Sequence, residues 1–258
     1  MGKIIAVTNQ KGGVGKTTTA VNLGAYLSHL GKFVLLVDID PQANATSSLG
    51  IKSDVNKSIY QTLIEPFSIK EIILDTVHQG YRIAPATPEL AGARVELVNF
   101  ENREYKLQQA LVEVRNDYDY IIIDCPPSLD LLTVNGLVAA EEVLIPIQAE
   151  YLALEGLGQL LNTINLVKEN LKSELSVLGA VVTMYDKRNK LSEEVLKEIK
   201  THFPFKVFES IIPRNIRLTE SPSYGQSILA YDSACKGARA YEELVREIIQ
   251  LEENFLKI

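Results

Sequence analysis

The chain has 258 residues, of which 46% are hydrophobic and 23% charged, which excludes a globally disordered protein and is enough for one large α/β domain. The formal net charge of −7 argues against coating of nucleic acid by the whole surface, although it allows a local basic patch. The two cysteines, Cys125 and Cys235, form no C-x-x-C motif, and no stretch is apolar enough to span a bilayer, so we expect a cytosolic protein with reduced thiols.

Apolar strands alternate with helices along the chain. The apolar, β-branched runs predict buried strands at 3–9, 32–40, 117–127, 141–147 and 176–186. Apolar residues at helical spacing predict helices at 16–31 and at roughly 103–115, 153–172, 191–201 and 237–256. This alternation predicts a doubly wound α/β fold, in which helices flank a mostly parallel central sheet. Residues 50–100 are the least regular part, and no linker or repeat divides the chain, so we expect one domain over residues 1–258.

The stretch NQKGGVGKTTT, residues 9–19, joins the first predicted strand to the first predicted helix. It follows the phosphate-binding pattern G-x-x-x-x-G-K-[ST], except that Gln10 replaces the first glycine and a second lysine, Lys11, comes next. Glycines here let backbone N–H groups cradle phosphate oxygens, and the helix N-terminus adds a favourable dipole. Lys16 would reach the terminal phosphates, and Thr17 would place its hydroxyl on Mg²⁺. The predicted nucleotide contacts of this stretch are Lys11, Gly12, Gly13, Val14, Gly15, Lys16, Thr17 and Thr18.

Three aspartates follow predicted strands, at the edge where parallel sheets bind their ligands. We expect Asp124 to hold the waters of Mg²⁺ beside the phosphate loop. Asp38 and Asp40 alternate along one strand and therefore point to the same face. We expect Asp40 to orient the water that attacks the γ-phosphate, and Asp38 to support Mg²⁺ or Lys16. The alternative is that both aspartates only cap the segment that follows them.

Five blocks of the chain together resemble the ParA/Soj chromosome-partitioning ATPases, of the deviant Walker A group that also contains the division-site regulator MinD. They are KGGVGKTTT, LLVDIDPQ, YIIIDCPPS, EYLALEGL and IPRNIRLTESPS, in the family's order over nearly the whole chain. The resemblance implies a Mg-dependent ATPase that forms a nucleotide-sandwich homodimer, binds DNA nonspecifically and is stimulated by a ParB-type centromere-binding protein. It also implies a cytoplasmic, nucleoid-associated protein of the short form, without an N-terminal helix-turn-helix domain.

The resemblance also assigns roles to individual residues. Lys11 matches the signature lysine, which reaches the phosphates bound by the partner subunit and would stabilise the transition state there. Asp40 matches the hydrolytic aspartate, which makes Lys11, Lys16 and Asp40 the expected catalytic residues. Residues 41–50 and 125–135 resemble the two switch segments that sense the γ-phosphate. Pro213 and Asn215 match the adenine-contacting positions of the family, with Met184 nearby, and Glu150 matches an acid near the nucleotide at the dimer interface.

DNA binding by this family implies exposed basic side chains. The main candidates are Arg188 and Arg217, because a guanidinium group can bond phosphate oxygens bidentately. Possible supporting residues are Arg214, Lys190, Lys187 and Lys236. A dimer could align two small basic patches on one face despite the negative net charge of the chain.

Three other functions are weighed against this one. A MinD-like, membrane-cycling ATPase is the main alternative, but it needs a basic amphipathic C-terminal helix, and residues 241–258 are acidic, so we expect no membrane partner. A cluster-binding relative such as the nitrogenase iron protein would need paired cysteines, which Cys125 and Cys235 do not supply. A binding module without hydrolysis is disfavoured by the presence of Lys16 and Asp40.

Overall fold

The computed structural model describes residues 2–52, 56–150 and 153–255, and within those ranges a single seven-stranded sheet forms the centre of the fold. The strand order is β3-β4-β2-β5-β1-β6-β7, and all neighbours are parallel except the antiparallel pair β3 and β4. The predicted fold class is therefore confirmed. The strands are β1 Lys3–Val7, β2 Val34–Asp38, β3 Leu74–Asp75, β4 Tyr81–Ala84, β5 Tyr120–Asp124, β6 Glu142–Gln148 and β7 Ser176–Thr183.

Helices cover both faces of the sheet. Alternate strand residues such as Ile5 and Leu36 pack on one face against α1 and α11, while Ile4 and Leu35 belong to the core on the other face. The helices are α1 Lys16–His29, α2 Asn44–Ser48, α3 Ile59–Ile64, α4 Leu90–Glu96, α5 Lys106–Val112, α6 Leu131–Ala139, α7 Ala153–Asn170, α8 Lys190–His202, α9 Ile216–Glu220, α10 Ile228–Asp232 and α11 Lys236–Phe255. Short 3₁₀ turns lie at Ile69–Glu71, Leu97–Asn99, Arg103–Tyr105 and Ser221–Tyr224.

The five predicted strands and the five predicted helices are all present, with ends shifted by a few residues. Residues 50–100, which the sequence marks as the least regular part and for which we predicted no elements, contain α3, α4, the short strand β3 and the parallel strand β4. Position 256 of the last predicted helix lies outside the described residues. Among the helices that the structure describes, none combines the length and apolar character needed to cross a bilayer.

The strand register brings the expected site residues to one edge of the sheet. Val7 at the end of β1 is aligned with Asp124 at the end of β5, and Asp124 is aligned in turn with Asp38 at the end of β2. The loop at residues 8–15 leaves β1 at this edge and enters α1 directly. The three strand ends and the start of α1 therefore form one continuous site.

Candidate nucleotide-binding site

The loop at residues 8–15 has the backbone geometry of an anion cradle. Gly13 and Gly15 adopt left-handed conformations, with φ angles of 75° and 85° that favour glycine. Gly15 is also the N-cap residue of α1 and has no side chain that could cap the helix. The first N–H groups of α1 are therefore available to a negatively charged ligand.

Two long-range hydrogen bonds fasten this loop to neighbouring strands. The Asn9 side-chain amide donates to the Pro146 carbonyl oxygen at 2.7 Å, and its oxygen accepts the Lys11 N–H at 3.1 Å. On the other side, the Thr183 hydroxyl donates to the Val14 carbonyl oxygen at 2.8 Å. Asn9 and Thr183 belong to no motif that would predict these contacts, and the only feature that marks them in the sequence is a polar side chain at or just beyond a strand end.

The two lysines of the loop have different environments. Lys16 is only 6% exposed, and its ammonium donates to the Lys11 carbonyl oxygen at 3.0 Å. Burial lowers the pKa of Lys16, while the negative charges of Asp124 and Asp40 act in the opposite direction. The Lys11 side chain is 37% exposed, and its Nζ lies 3.6 Å from Glu150 Oε2. Lys16 thus lies inside the site, whereas Lys11 is at its rim.

Asp124 is fully buried, and neither of its carboxylate oxygens makes a hydrogen bond of regular geometry, although the Thr17 hydroxyl lies close to it. Burial and the nearby charge of Asp38 raise the pKa of Asp124 well above its usual range, against the opposite effects of Thr17 and Lys16. Seven buried side-chain oxygens of the described residues lack a hydrogen bond, and two of these, Glu142 Oε2 and Glu252 Oε1, are ion-paired with Lys3. Four of the remaining five lie at this edge: Thr8 Oγ1, Gln10 Oε1 and both of Asp124. Such groups are rare in folded proteins and indicate a place where a ligand completes the bonding.

These oxygens are suited to a magnesium ion that is held mainly by the phosphates of a bound nucleotide and by water. No three His, Cys, Asp or Glu side chains in the described ranges lie close enough together to form a metal site by themselves. Mg²⁺ usually keeps several waters and takes few protein ligands beside substrate phosphates. The Thr17 hydroxyl and the unpartnered Asp124 carboxylate are suited to that arrangement.

Asp38 is as deeply buried as Asp124, but its oxygens are all engaged within the chain. Oδ1 accepts the Asp40 N–H at 3.1 Å, and Oδ2 accepts both the N–H and the hydroxyl of Thr46, at 2.9 and 2.7 Å. Burial raises the pKa of Asp38 to about 6, against the lowering effect of these hydrogen bonds. Asp40, which is 6% exposed, accepts the Gln42 N–H at 2.9 Å. Both aspartates therefore accept backbone N–H groups of the segment that follows them, as the capping interpretation predicts.

The expected adenine contacts lie together beyond the end of β7. Met184 has a left-handed backbone with a φ angle of 52°, and the next residue, Tyr185, pairs with Pro213 in a parallel bridge. The Arg214 N–H donates to the Tyr185 carbonyl oxygen at 3.0 Å. Asn215 caps α9 by accepting the Arg217 N–H at 2.8 Å. Because Thr183 bonds the phosphate loop, this group adjoins the loop directly.

The candidate DNA-contacting arginines are exposed, and each is paired with an acidic side chain. Arg188, with 89% of its side chain exposed, makes a bidentate contact with Asp186 at 3.0 and 2.9 Å, which holds the pKa of Asp186 at about 2. Arg214 lies 3.8 Å from Glu150. The contacts of Arg217 are with Glu220 at 2.9 Å and Asp232 at 3.5 Å. The exposed lysine candidates are Lys187, Lys190 and Lys236.

Sequence comparisons agree with this geometry. Residues 2–177 match the family profile described as an AAA domain. The chain is 54% identical over 249 residues to the sporulation initiation inhibitor protein Soj of Bacillus subtilis, covering 96% of this chain and 98% of the relative. It is 51% identical over 251 residues to the chromosome partitioning protein ParA of Myxococcus xanthus, covering 97% and 89%.

Solved structures with the same fold include nucleotide complexes. Cobyrinic acid a,c-diamide synthase from Mycobacterium smegmatis, with a bound ATP analogue and magnesium, matches with a TM-score of 0.87 and 38% identity over 98% of this chain and 96% of the other. A putative plasmid partition protein from Borrelia burgdorferi bound to AMPPNP matches with a TM-score of 0.83 and 28% identity, covering 98% and 100%.

Proposed function

The chain belongs to the ParA/Soj family of chromosome-partitioning ATPases, and on that premise we propose that it binds Mg-ATP, dimerises and hydrolyses the nucleotide in a cycle that controls DNA binding. The observation that carries the proposal is the group of unpartnered, buried oxygens of Asp124 beside Lys16, Thr17 and a glycine loop that presents N–H donors. Buried polar groups without a partner in the protein are rare, and a bound ion or ligand accounts for them.

Each side chain of the site has a distinct role in this proposal. Lys16 would exchange the Lys11 carbonyl oxygen for phosphate oxygens, since an ammonium bonds more strongly to a charged acceptor. Thr17 and Asp124 would hold magnesium, Asp124 through the waters of the ion. A bound magnesium ion would neutralise negative charge that develops on the phosphates. Asp40, which is close enough to influence Lys16 electrostatically, would orient the attacking water.

Dimerisation would give Lys11 its function. In the single chain its ammonium lies near Glu150, and both side chains are substantially exposed, so the contact is weak and readily exchanged. In a nucleotide-sandwich dimer Lys11 would leave Glu150 and approach the phosphates of the partner subunit, where a cation stabilises the transition state. We propose that a ParB-type protein stimulates turnover of this dimer, in the cytoplasm and on the nucleoid.

DNA binding would use the exposed arginines beside the adenine side of the site. Arg188, Arg217 and Arg214 would exchange carboxylate partners for DNA phosphates, to which a guanidinium group can also bond bidentately, and Lys190 would add a further cation. These exchanges cost little, because surface ion pairs contribute at most about 1 kcal/mol. The dimer would present two such groups to one DNA duplex.

The membrane-cycling alternative is disfavoured by the packing of α11. Its apolar side chains, including Tyr241, Leu244 and Ile248, are buried in the core against the sheet and α1, and are not available to a bilayer. The name of the Mycobacterium smegmatis enzyme describes a different reaction. We do not transfer that reaction, because relatives above 50% identity are named for chromosome partitioning and for Soj.

The test of this function measures molecular mass and DNA binding with ATP, with ADP and without nucleotide, at several salt concentrations. We expect dimers and DNA retention with Mg-ATP alone, and binding that weakens steeply with salt. Arg217→Ala and Arg188→Ala should each reduce the salt slope by about one. Arg246→Ala is the matched control, because Arg246 is an exposed arginine paired with Glu242 on α11. DNA retention that is equal in all nucleotide states would refute the proposal.

A further inference from the structure

Thr46 lies in α2 and makes three hydrogen bonds around the end of β2. It is 1% exposed. Its N–H and its hydroxyl both donate to Asp38 Oδ2, at 2.9 and 2.7 Å. Its hydroxyl oxygen also accepts the N–H of Ala86, two residues beyond β4, at 3.0 Å. Thr46 lies within residues 41–50, the segment that resembles a switch, and has no individual role in the site proposed above.

These bonds determine the orientation of the Asp38 carboxylate. A hydroxyl has one proton to donate, and Thr46 donates it to the Asp38 carboxylate. The same hydroxyl oxygen accepts the Ala86 N–H through a lone pair. Because the Asp40 N–H donates to the other oxygen of the same carboxylate, Asp38 closes residues 38–46 into a loop. That loop begins at Asp38, ends at Thr46 and contains Asp40, the residue proposed to orient water.

The loop also contains a strained backbone position. Ala43, which precedes α2, has a left-handed φ angle of 51°, and its N–H donates to the Asp40 carbonyl oxygen at 2.8 Å. A non-glycine residue adopts this conformation at a cost of about 1–3 kcal/mol, and it persists only where surrounding contacts hold it. The two bonds from Thr46 to the buried carboxylate supply such contacts.

We propose that Thr46 is a positioning residue for ATP hydrolysis: through the Asp38 carboxylate it fixes the loop that sets the place of Asp40 relative to Lys16 and the nucleotide. This inference rests on the function proposed above. It also assigns Asp38 to the internal support of Asp40, in place of a direct contact with magnesium. Lys16, Thr17 and the glycine loop make none of these bonds, so nucleotide binding is independent of Thr46.

The experiment compares Thr46→Val, which keeps the shape of the side chain but removes the hydroxyl, with Thr46→Ser, which keeps the hydroxyl. Thr46→Val should lower kcat by about 10- to 100-fold, the usual cost of a misplaced catalytic group. The KM for ATP and the affinity for a fluorescent ATP analogue should stay within about twofold of wild type, since the phosphate loop is untouched. Thr46→Ser should restore most of the turnover.

The matched control is Thr87→Val. Thr87, which directly follows Ala86 in the chain, is also buried. Its hydroxyl forms a hydrogen bond with the Ser58 hydroxyl at 3.1 Å. This variant removes a buried threonine hydroxyl without touching Asp38, and its kcat should equal that of the wild type. A second measurement uses the wild-type protein: amide hydrogen exchange should show protected N–H groups at both Asp40 and Thr46, because both donate to Asp38.

The outcomes separate this inference from the function on which it rests. A wild-type chain that hydrolyses no ATP with DNA and a ParB-type protein present would refute the proposed function. An active wild type with an equally active Thr46→Val would overturn the positioning role, as would a loss of ATP affinity in parallel with turnover. Should Thr46→Val fail to fold, rapid exchange of the wild-type Asp40 and Thr46 amides would overturn it independently.

Discussion

The ends of β5 and β2 carry two aspartates that are neighbours in the sheet and have opposite bonding. Asp124 and Asp38 are aligned in register, and both are completely buried. The Asp124 oxygens have no partner, whereas those of Asp38 accept three hydrogen bonds from Asp40 and Thr46. Residue type and burial are thus the same at the two positions, and the hydrogen bonds separate Asp124, whose oxygens keep free acceptor capacity, from Asp38, whose oxygens are all engaged within the chain.

The same contrast extends to the segments around each aspartate. Next to Asp124, the phosphate loop contains further unpartnered oxygens at Thr8 and Gln10, although its backbone is fastened to β6 and β7. Next to Asp38, the turn to Thr46 is closed by its own hydrogen bonds and tied to the end of β4. One side of the site is a fastened loop whose neighbouring oxygens keep free acceptor capacity, and the other is a turn whose polar groups are bonded within the chain.

The largest effect is expected at Asp124. Asp124→Asn should weaken magnesium-dependent ATP binding by about 10- to 100-fold, because an amide holds the waters of the ion less well than a carboxylate does. Without nucleotide, the free energy of unfolding should stay equal or rise, since the change removes a buried carboxylate that has no partner. Calorimetric titration with ATP, with and without Mg²⁺, and urea unfolding measure the two quantities. A marked loss of stability without ligand would contradict the contrast.

Asp38→Asn should give the reverse result. Removing the charge weakens three hydrogen bonds to a buried acceptor, so the free energy of unfolding without nucleotide should fall by about 1.5–3 kcal/mol. ATP affinity should change less than in Asp124→Asn, whereas turnover should fall because the Asp40 loop is released. The same urea and calorimetric measurements apply. If Asp38→Asn loses magnesium-dependent binding as strongly as Asp124→Asn does, then Asp38 serves the metal directly.

Gly136 in α6 tests whether both strand ends depend on one packing contact. A Cβ atom at this position would lie 2.8 Å from Cys125 Sγ and 2.9 Å from Ile39 Cδ1, beside the ends of β5 and β2. Gly136→Ala should therefore destabilise the fold by about 1–3 kcal/mol in thermal or urea unfolding. Gly158→Ala in α7 is the control, because a Cβ there meets nothing within 4 Å and should add stability of roughly 0.5–1 kcal/mol. Equal stability of Gly136→Ala and wild type would contradict this prediction and would show that α6 can shift away from Cys125 and Ile39 at little cost in free energy.

The sequence predicts the cradle better than the turn. Lys16, Thr17 and Asp124 could be identified because a glycine motif and strand-end acids are local patterns, and parallel strands bring their carboxyl ends to one edge. Thr46 and Thr183 carry no such pattern: their partners, Asp38 and Val14, are 8 and 169 residues away.

The missed elements have a similar physical explanation. Strand β4 is only four residues long, and its exposed Arg82 interrupts the apolar run that would predict a buried strand. Helix α6 is apolar on nearly all sides, and seven of its nine residues are buried, so its sequence shows no helical period. Both elements are determined by the tertiary packing around them, and local sequence patterns therefore do not predict them.

The smallest effect is expected at Thr183, which tests how firmly the cradle is held. Thr183→Val keeps the side-chain shape and removes the hydroxyl bond to the Val14 carbonyl oxygen. A neutral hydrogen bond contributes about 1 kcal/mol, so ATP affinity should fall by roughly fivefold while kcat at saturating ATP is unchanged. Nucleotide titration and steady-state kinetics measure the two effects. A fall in kcat without a change in affinity would mean that the loop fastened by Thr183 acts on Asp40, and the two sides of the site would no longer be separable.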